Sequence, residues 1–340
     1  MDILKKYTDC DHTMDQKDIM RKLTEDYDIT VDRKSIKANL DCLFDYGYEI
    51  ECTKTERIKK DGTKEIITSN WYYNHEFDDS ELRMMIDSIL FSKTIPAGQA
   101  SELIKKIAGL SNIYFTNKMT HVSSLPGLEH TSNQQTLYNV GLIDDAISEK
   151  KQISFVYNNY WEDKKLHPRR EEPYIVNPYQ MVANDGKYYL VCNYDKYDTL
   201  SNYRVDKMTQ VKIINKPAKK RDKVKGMEHG LNLPKHMAEH IYMFADEPVT
   251  IILRVKKSAI SDIVDWFGSN FDVVDESIAR QYDGFRETTD AVTYVRLVCS
   301  RQAMSHWAMQ YGTSVEVIYP TELRTQIGEA VKEMNNRYND

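Results

Sequence analysis

Tyr174-Ile-Val-Asn-Pro178-Tyr179-Gln180-Met181-Val182, then Asn184-Asp185-Gly186, then Lys187-Tyr188-Tyr189-Leu190-Val-Cys-Asn-Tyr194 read together as one hairpin. Asp-Gly between two apolar runs favours a tight turn, because both central residues tolerate positive φ. Pro178 removes a ladder donor, so its strand is expected at an edge or bulged at that point. Working outward, Ile153, Phe155 and Tyr157 alternate with Ser154 and Val156, which predicts a half-buried strand. Further strands are expected near 200–205 and 209–214. Five short strands at close spacing predict a small barrel rather than an open sheet.

The same region is rich in tyrosine and arginine, a combination suited to a flat, anionic ligand: tyrosines stack, and arginine presents a fixed fork of donors. The competing reading makes these tyrosines barrel core and rim. Arg204 fits the core reading less well, since a buried arginine needs a partner; Asp206 is placed to supply one.

A Pro-Tyr-Gln-Met strand, a Gly-x-Tyr-Tyr-Leu strand and a closing Tyr203-Arg204-Val205-Asp206-Lys207-Met208 together resemble the WYL domain, a ligand-sensing β-barrel of bacterial transcriptional regulators. Tyr188 stands where the family's name-giving triplet has Trp. The resemblance implies a ligand pocket at Tyr157, Tyr179, Tyr189 and Arg204, with Lys207 in the basic position after Asp206. It implies an anionic ligand, a nucleotide or single-stranded nucleic acid. Tyr179 lies where some members carry His, which leaves the ligand open.

The chain has 340 residues, enough for two or three domains, with 41% hydrophobic and 29% charged residues, as in ordinary globular proteins. A formal net charge of −6 gives no sign of bulk affinity for nucleic acid, so any DNA contact must come from a local basic patch. Five scattered cysteines (Cys10, Cys42, Cys52, Cys192, Cys299) without paired spacing read as reduced thiols of a cytoplasmic protein. Apolar stretches are too short to span a bilayer, and Met1-Asp-Ile-Leu-Lys-Lys is not a signal peptide, so no membrane partner is expected.

Residues 1–77 predict helix, turn, helix and hairpin. Thr13 and Gln16 have capping-box spacing ahead of the first helix, and Asp32 is a good N-cap for the second. Ile36, Leu40, Leu43 and Phe44 share one face of that second helix. Arg33, Lys34, Ser35, Lys37 and Asn39 lie away from it, as in a major-groove reader. Lys60 and Lys64 belong to a basic hairpin tip, the wing of a winged helix-turn-helix. A solvated charged face is the competing reading. The segment also resembles the DNA-binding domain that precedes WYL domains. In that family the second helix carries Arg-Thr-Ile, a spacer and Arg-Asp-Leu; here the positions read Lys34-Ser35-Ile36, Lys37, Ala38-Asn39-Leu40.

Residues 78–150 predict a helical connector, with helices over 80–91, 101–110 and 135–148 and a polar loop over 116–133. Met84 and Met85 are read as packing rather than metal ligands. Residues 151–215 form the expected barrel, and 216–247 a linker with a short helix. The basic part of that linker, 215–235, reads as a hinge with solvated charge or as a phosphate-contacting strip. His236-Met-Ala-Glu239-His240 matches H-x-x-E-H, the inverted zinc-protease pattern, but so short a motif arises easily by accident, and the plain reading is a helix. From 248 to 340 the order strand, helix, strand, strand, helix, strand, helix predicts a ferredoxin-like domain. It resembles the WCX extension that follows WYL domains.

The fold class expected is thus multidomain α+β: a winged helix, an SH3/Sm-like barrel and a ferredoxin-like domain. The function implied is a non-enzymatic transcriptional regulator that binds double-stranded DNA, without cofactor or metal, as a homodimer matching a palindromic site. Two other classes are open: a nucleic-acid-binding accessory protein acting on an effector complex, and a metal-dependent hydrolase at His236 and His240.

Overall fold

A computed structural model describes residues 1–119, 131–282, 284–287, 289 and 291–339. The chain is mixed α/β and divides into two compact units, Met1–Gln134 and Gln135–Asp340.

The first unit opens with helices α1 (Asp2–Tyr7), α2 (Gln16–Tyr27) and α3 (Arg33–Asp45), followed by an antiparallel hairpin of β1 (Ile50–Ile58) and β2 (Lys64–Tyr73). Asp32 caps α3 as expected: its Oδ1 accepts from Lys34 N at 2.7 Å and from Ser35 N at 2.9 Å. The cap of α2 differs from the Thr13–Gln16 expectation. Asp15 precedes the helix, and Asp15 N donates to Asp18 Oδ2 at 3.3 Å. Trp71 from β2 is buried among Ile3, Leu4, Ile19, Ile36, Leu40 and Ile50, so one indole joins hairpin and helices. Met14 adds a backbone bridge to Trp71 through two hydrogen bonds.

Helices α4 (Asp79–Leu90), α5 (Ala97–Ala108) and α6 (Ile113–Lys118) pack around Leu82, Ile86, Ile104 and Phe115. Met85 joins that core, whereas Met84 points to solvent. Of the loop expected over 116–133, the first residues complete α6, and 120–130 lie outside the described residues.

The second unit begins with α7 (Thr136–Ser148), followed by β3 (Lys151–Tyr160), β4 (Leu166–Pro168), β5 (Tyr174–Asn184), β6 (Lys187–Asn193), β7 (Leu200–Arg204) and β8 (Met208–Pro217). Sheet order is β4-β3-β5-β6-β7, with β8 also paired to β3. The sheet curls into a half-barrel. No β7–β8 pairing closes it among the described residues; a 3-10 turn, Val205–Lys207, joins those two strands. Asp185 and Gly186 have φ of 47° and 66°, the doubly positive turn predicted from Asp-Gly, and Asn184 pairs with Lys187. The register shifts between Pro178 and Gln180, so the proline sits at a bulge. Phe155, Tyr157, Tyr174 and Tyr203 fill the curl: Phe155 and Tyr174 stack at 5.5 Å, and Tyr157 meets Tyr203 edge-on at 4.8 Å. Helix α7 plugs the curl with Ile143 and Ala146, and its Asn139 Nδ2 donates to Met208 O at 2.9 Å.

After the sheet come α8 (Leu233–Glu239), β9 (Pro248–Lys256), α9 (Ile260–Phe267), β10 (Phe271–Val274), α10 (Glu276–Ala279), β11 (Val292–Ser300), α11 (Arg301–Gln310), β12 (Val315–Tyr319) and α12 (Thr321–Asn339). The strand expected over 271–280 ends at Val274, because Asp275 Oδ1 accepts from Ser277 N and starts α10. The four strands form one antiparallel sheet in the order β10-β11-β9-β12. Ile251, Leu253, Val295, Leu297 and Val317 on one face pack against Phe267 and Trp307 of the helices.

Candidate functional site

The β6–β7 register sets Tyr189 directly opposite Arg204. Arg204 is the last residue of its strand, and the 3-10 turn brings Asp206 back beneath it. Arg204 Nη2 and Nε donate to Asp206 Oδ2 and Oδ1 at 2.7 and 3.1 Å. The Asp206 side chain is buried while that of Arg204 is a quarter exposed. Asp206 therefore orients the fork and leaves part of it facing outward. Tyr157 closes the inner side, its Oη accepting from Arg204 N at 3.4 Å. Burial pushes the Tyr157 phenol up to about 12 and raises Tyr189 as well, so both stay protonated and can donate.

Lys207 extends this corner. Burial lowers its ammonium pKa first, and the positive charges of Arg204, Lys187 and Arg169 lower it further, against Asp206. A lysine lowered by neighbouring cations sits in a positive field that an anion would relieve. Its Nζ lies 6.0 Å from the Tyr160 ring centroid. Next to Tyr160 in the chain, Trp161 is exposed and stacks on His167 at 4.2 Å. The sequence reading passed over Trp161; its signal was a tryptophan in the polar run Glu162-Asp163-Lys164-Lys165.

Tyr179 is packed elsewhere. It is buried with Val224 and Met227, and its hydroxyl donates to Lys219 O at 3.0 Å. Arg221 Nη2 returns a bond to Tyr179 O at 2.8 Å. The basic stretch read as a hinge with solvated charge or a phosphate-contacting strip is thus fastened: Lys219 N also donates to Asn177 Oδ1 of β5, and Lys225 N to Asp198 O between β6 and β7. Tyr157, Tyr189, Arg204 and Lys207 come together; Tyr179 belongs to this clamp.

On α3, Ile36 and Leu40 are buried, and Lys34, Lys37 and Asn39 are exposed. No carboxylate of the described residues pairs with Lys34 or Lys37, so both amines are available. Arg33 is less so, since its Nε donates to Gln16 Oε1 at 2.8 Å. Ser35 Oγ bonds Asp32 Oδ2, and Asn39 Nδ2 bonds Ser35 O, so each is held by the helix itself. At the hairpin tip Lys60 is exposed, and Lys64 Nζ pairs with Glu56 at 3.0 Å.

His236 and His240 face each other at 4.5 Å between rings at the end of α8. Burial lowers His236 to about 4, and His240 Nδ1 is 2.8 Å from Phe244 O. Among the described residues no group of three His, Cys, Asp or Glu is placed to hold a metal ion. Nor is any described helix long and apolar enough to cross a membrane.

Comparison with known families matches a WYL domain over residues 139–213 and a WCX domain over 247–334. No curated protein matches the chain. Among solved structures, the chain is similar to proteasome accessory factor B/C (PafBC) of Arthrobacter aurescens, with 14% identity and a TM-score of 0.29 over 94% of this chain and 46% of that one. It therefore spans about half of that protein's length. It is also similar to a CRISPR Cas-related protein, with 13% identity and a TM-score of 0.39 over 93% of this chain and 76% of the other.

Proposed function

The chain carries a WYL domain followed by a WCX domain, and on that footing we propose that it is a DNA-binding transcriptional regulator whose curled sheet senses an anionic ligand. The observation that carries this reading is the partly exposed Arg204 side chain, held by the buried Asp206 beside Tyr157, Tyr189 and Lys207. A cation anchored in this way, with protonated phenols alongside, suits a phosphate of a nucleotide or of single-stranded nucleic acid.

The DNA partner rests on α3 and the β1–β2 hairpin. A capped helix with a buried Ile36–Leu40 stripe and exposed Lys34 and Lys37, followed by a hairpin with Lys60 at its tip, supports a winged helix-turn-helix over residues 1–77. Residues 78–150 would connect it to the sensor at 151–215. The clamped stretch and α8, 216–247, lead into 248–340, where the order β10-β11-β9-β12 supports a ferredoxin-like domain. Two copies would read the two halves of a palindrome in the cytoplasm, with neither cofactor nor catalytic step.

The test is a gel-shift titration of the full chain on DNA from upstream of its own gene, with and without a short single-stranded oligonucleotide. Sequence-selective binding that changes with the oligonucleotide supports the proposal. Binding with no preference over random duplex, or none, refutes it.

A further inference from the structure

The opposite face of the C-terminal sheet, away from α9 and α11, carries a charge arrangement that the regulator reading does not use. The register puts Arg254 of β9 between Tyr294 of β11 and Glu316 of β12. Two more arginines arrive from outside the sheet. Arg324, in the first turn of α12, bonds Glu316 Oε1 through Nη2 at 2.9 Å and Val317 O through Nη1 at 2.7 Å. Arg286 comes from the segment after α10, whose main chain is fixed to the Tyr294 hydroxyl by two hydrogen bonds. Gly284 sits close against the Arg324 guanidinium: a Cβ there would lie 3.0 Å from Cζ.

Three guanidiniums thus share one carboxylate. Among the described residues only Arg324 is hydrogen-bonded to it; Arg254 and Arg286 each lie 3.7 Å from a Glu316 oxygen, an ion pair but too long for a hydrogen bond. Arg254 Nε is buried and finds no acceptor among the described residues. Counted over these four side chains, three positive charges face one negative, and Arg254, Arg324 and Glu316 remain partly open to solvent. We propose that Arg254, Arg286 and Arg324 form a binding site for a phosphate group, free or carried on a small nucleotide. A phosphomonoester brings close to two negative charges and three acceptor oxygens, which matches the excess charge and the convergence of three forks from three elements. This site is separate from Arg204 and independent of the regulator reading.

The experiment is calorimetric titration of the full chain, freed of phosphate, with inorganic phosphate in one arm and adenosine monophosphate in the other. Saturable binding is expected, with equal affinities indicating phosphate alone and tighter monophosphate binding indicating a carried group. Arg286→Gln, an exposed change that leaves the fold intact, should weaken binding at least about ten-fold, as expected for loss of a charged hydrogen bond. Arg324→Gln should do the same, and Glu316→Gln should strengthen binding by removing the competing carboxylate. Each titration is repeated in the Arg204→Ala background, where the sensor corner proposed above cannot supply a phosphate contact, and the same pattern is expected there. In that background, no saturable binding in either arm or indifference to Arg286→Gln would each overturn the site.

Discussion

Arg204 and Asp206, two residues apart, close a bidentate pair in which the Asp206 side chain is buried and the Arg204 side chain is a quarter exposed. The pair aims the fork, and the same carboxylate competes with any ligand for it. Arg204→Ala should therefore abolish the ligand response while leaving DNA binding intact. Arg204→Lys should recover little, because lysine lacks the planar fork. A reporter under the native promoter measures this; a normal response from a folded Arg204→Ala variant would make Arg204 purely structural.

Asp206→Ala should cost stability as well as response. Removing one partner of a buried pair typically costs about 3–5 kcal/mol, and the partial exposure of Arg204 places this case near the lower end. Urea unfolding of both proteins gives the difference. A loss below about 1 kcal/mol would mean that solvent already satisfies the guanidinium.

Lys34→Ala and Lys37→Ala should each weaken binding to all DNA sequences and lower the salt slope by about one. Asn39→Ala should instead relax specificity at one position, by roughly 1–3 kcal/mol. Gel shifts at several salt concentrations separate the two. Arg33→Ala should show a mixed effect, because its Nε is engaged by Gln16.

Asp195 gathers Lys216 Nζ at 2.7 Å and the amides of Asn177 and Gln152 at 2.9 Å, which hold its carboxyl at about 2. The folded value lies below the ordinary 3.8. The stabilisation is therefore complete above 3.8 and disappears as pH falls toward 2. Thermal melts of wild type and Asp195→Asn across acid pH should converge over that window. A constant gap between them would remove Asp195 from the acid response.

Replacing His236 and His240 together by Ala should leave metal content unchanged. Elemental analysis of purified wild type and variant decides it: stoichiometric zinc lost with the histidines would restore the hydrolase reading.

The turn at Asp185-Gly186 was legible because its chemistry is local: two adjacent residues both at positive φ. The Pro178 bulge and the Asp32 cap were legible for the same reason. Helix α1 was not, being six residues without a side-chain cap. Strand β4 has only three residues, too few for any period. At the candidate site, Arg204 and Asp206 could be paired from their spacing, but Tyr179 could not be separated from Tyr157 and Tyr189. What claims Tyr179 is main chain some 40 residues further on, and no pattern around Pro178 announces it.

That main chain has a mechanical role. Between Pro217 and Met227 it is latched to β5 through Asn177 and Tyr179 and to the β6–β7 loop through Asp198, and anchored by Val224 and Met227. A joint of this kind has no backlash: a shift in β5 moves the latched segment with it instead of being lost as slack. The run Lys219-Lys220-Arg221-Asp222-Lys223 resembles an open trypsin site, yet cutting it should wait for the latch to open. The nicking rate would then report how often β5 lets go of its own linker.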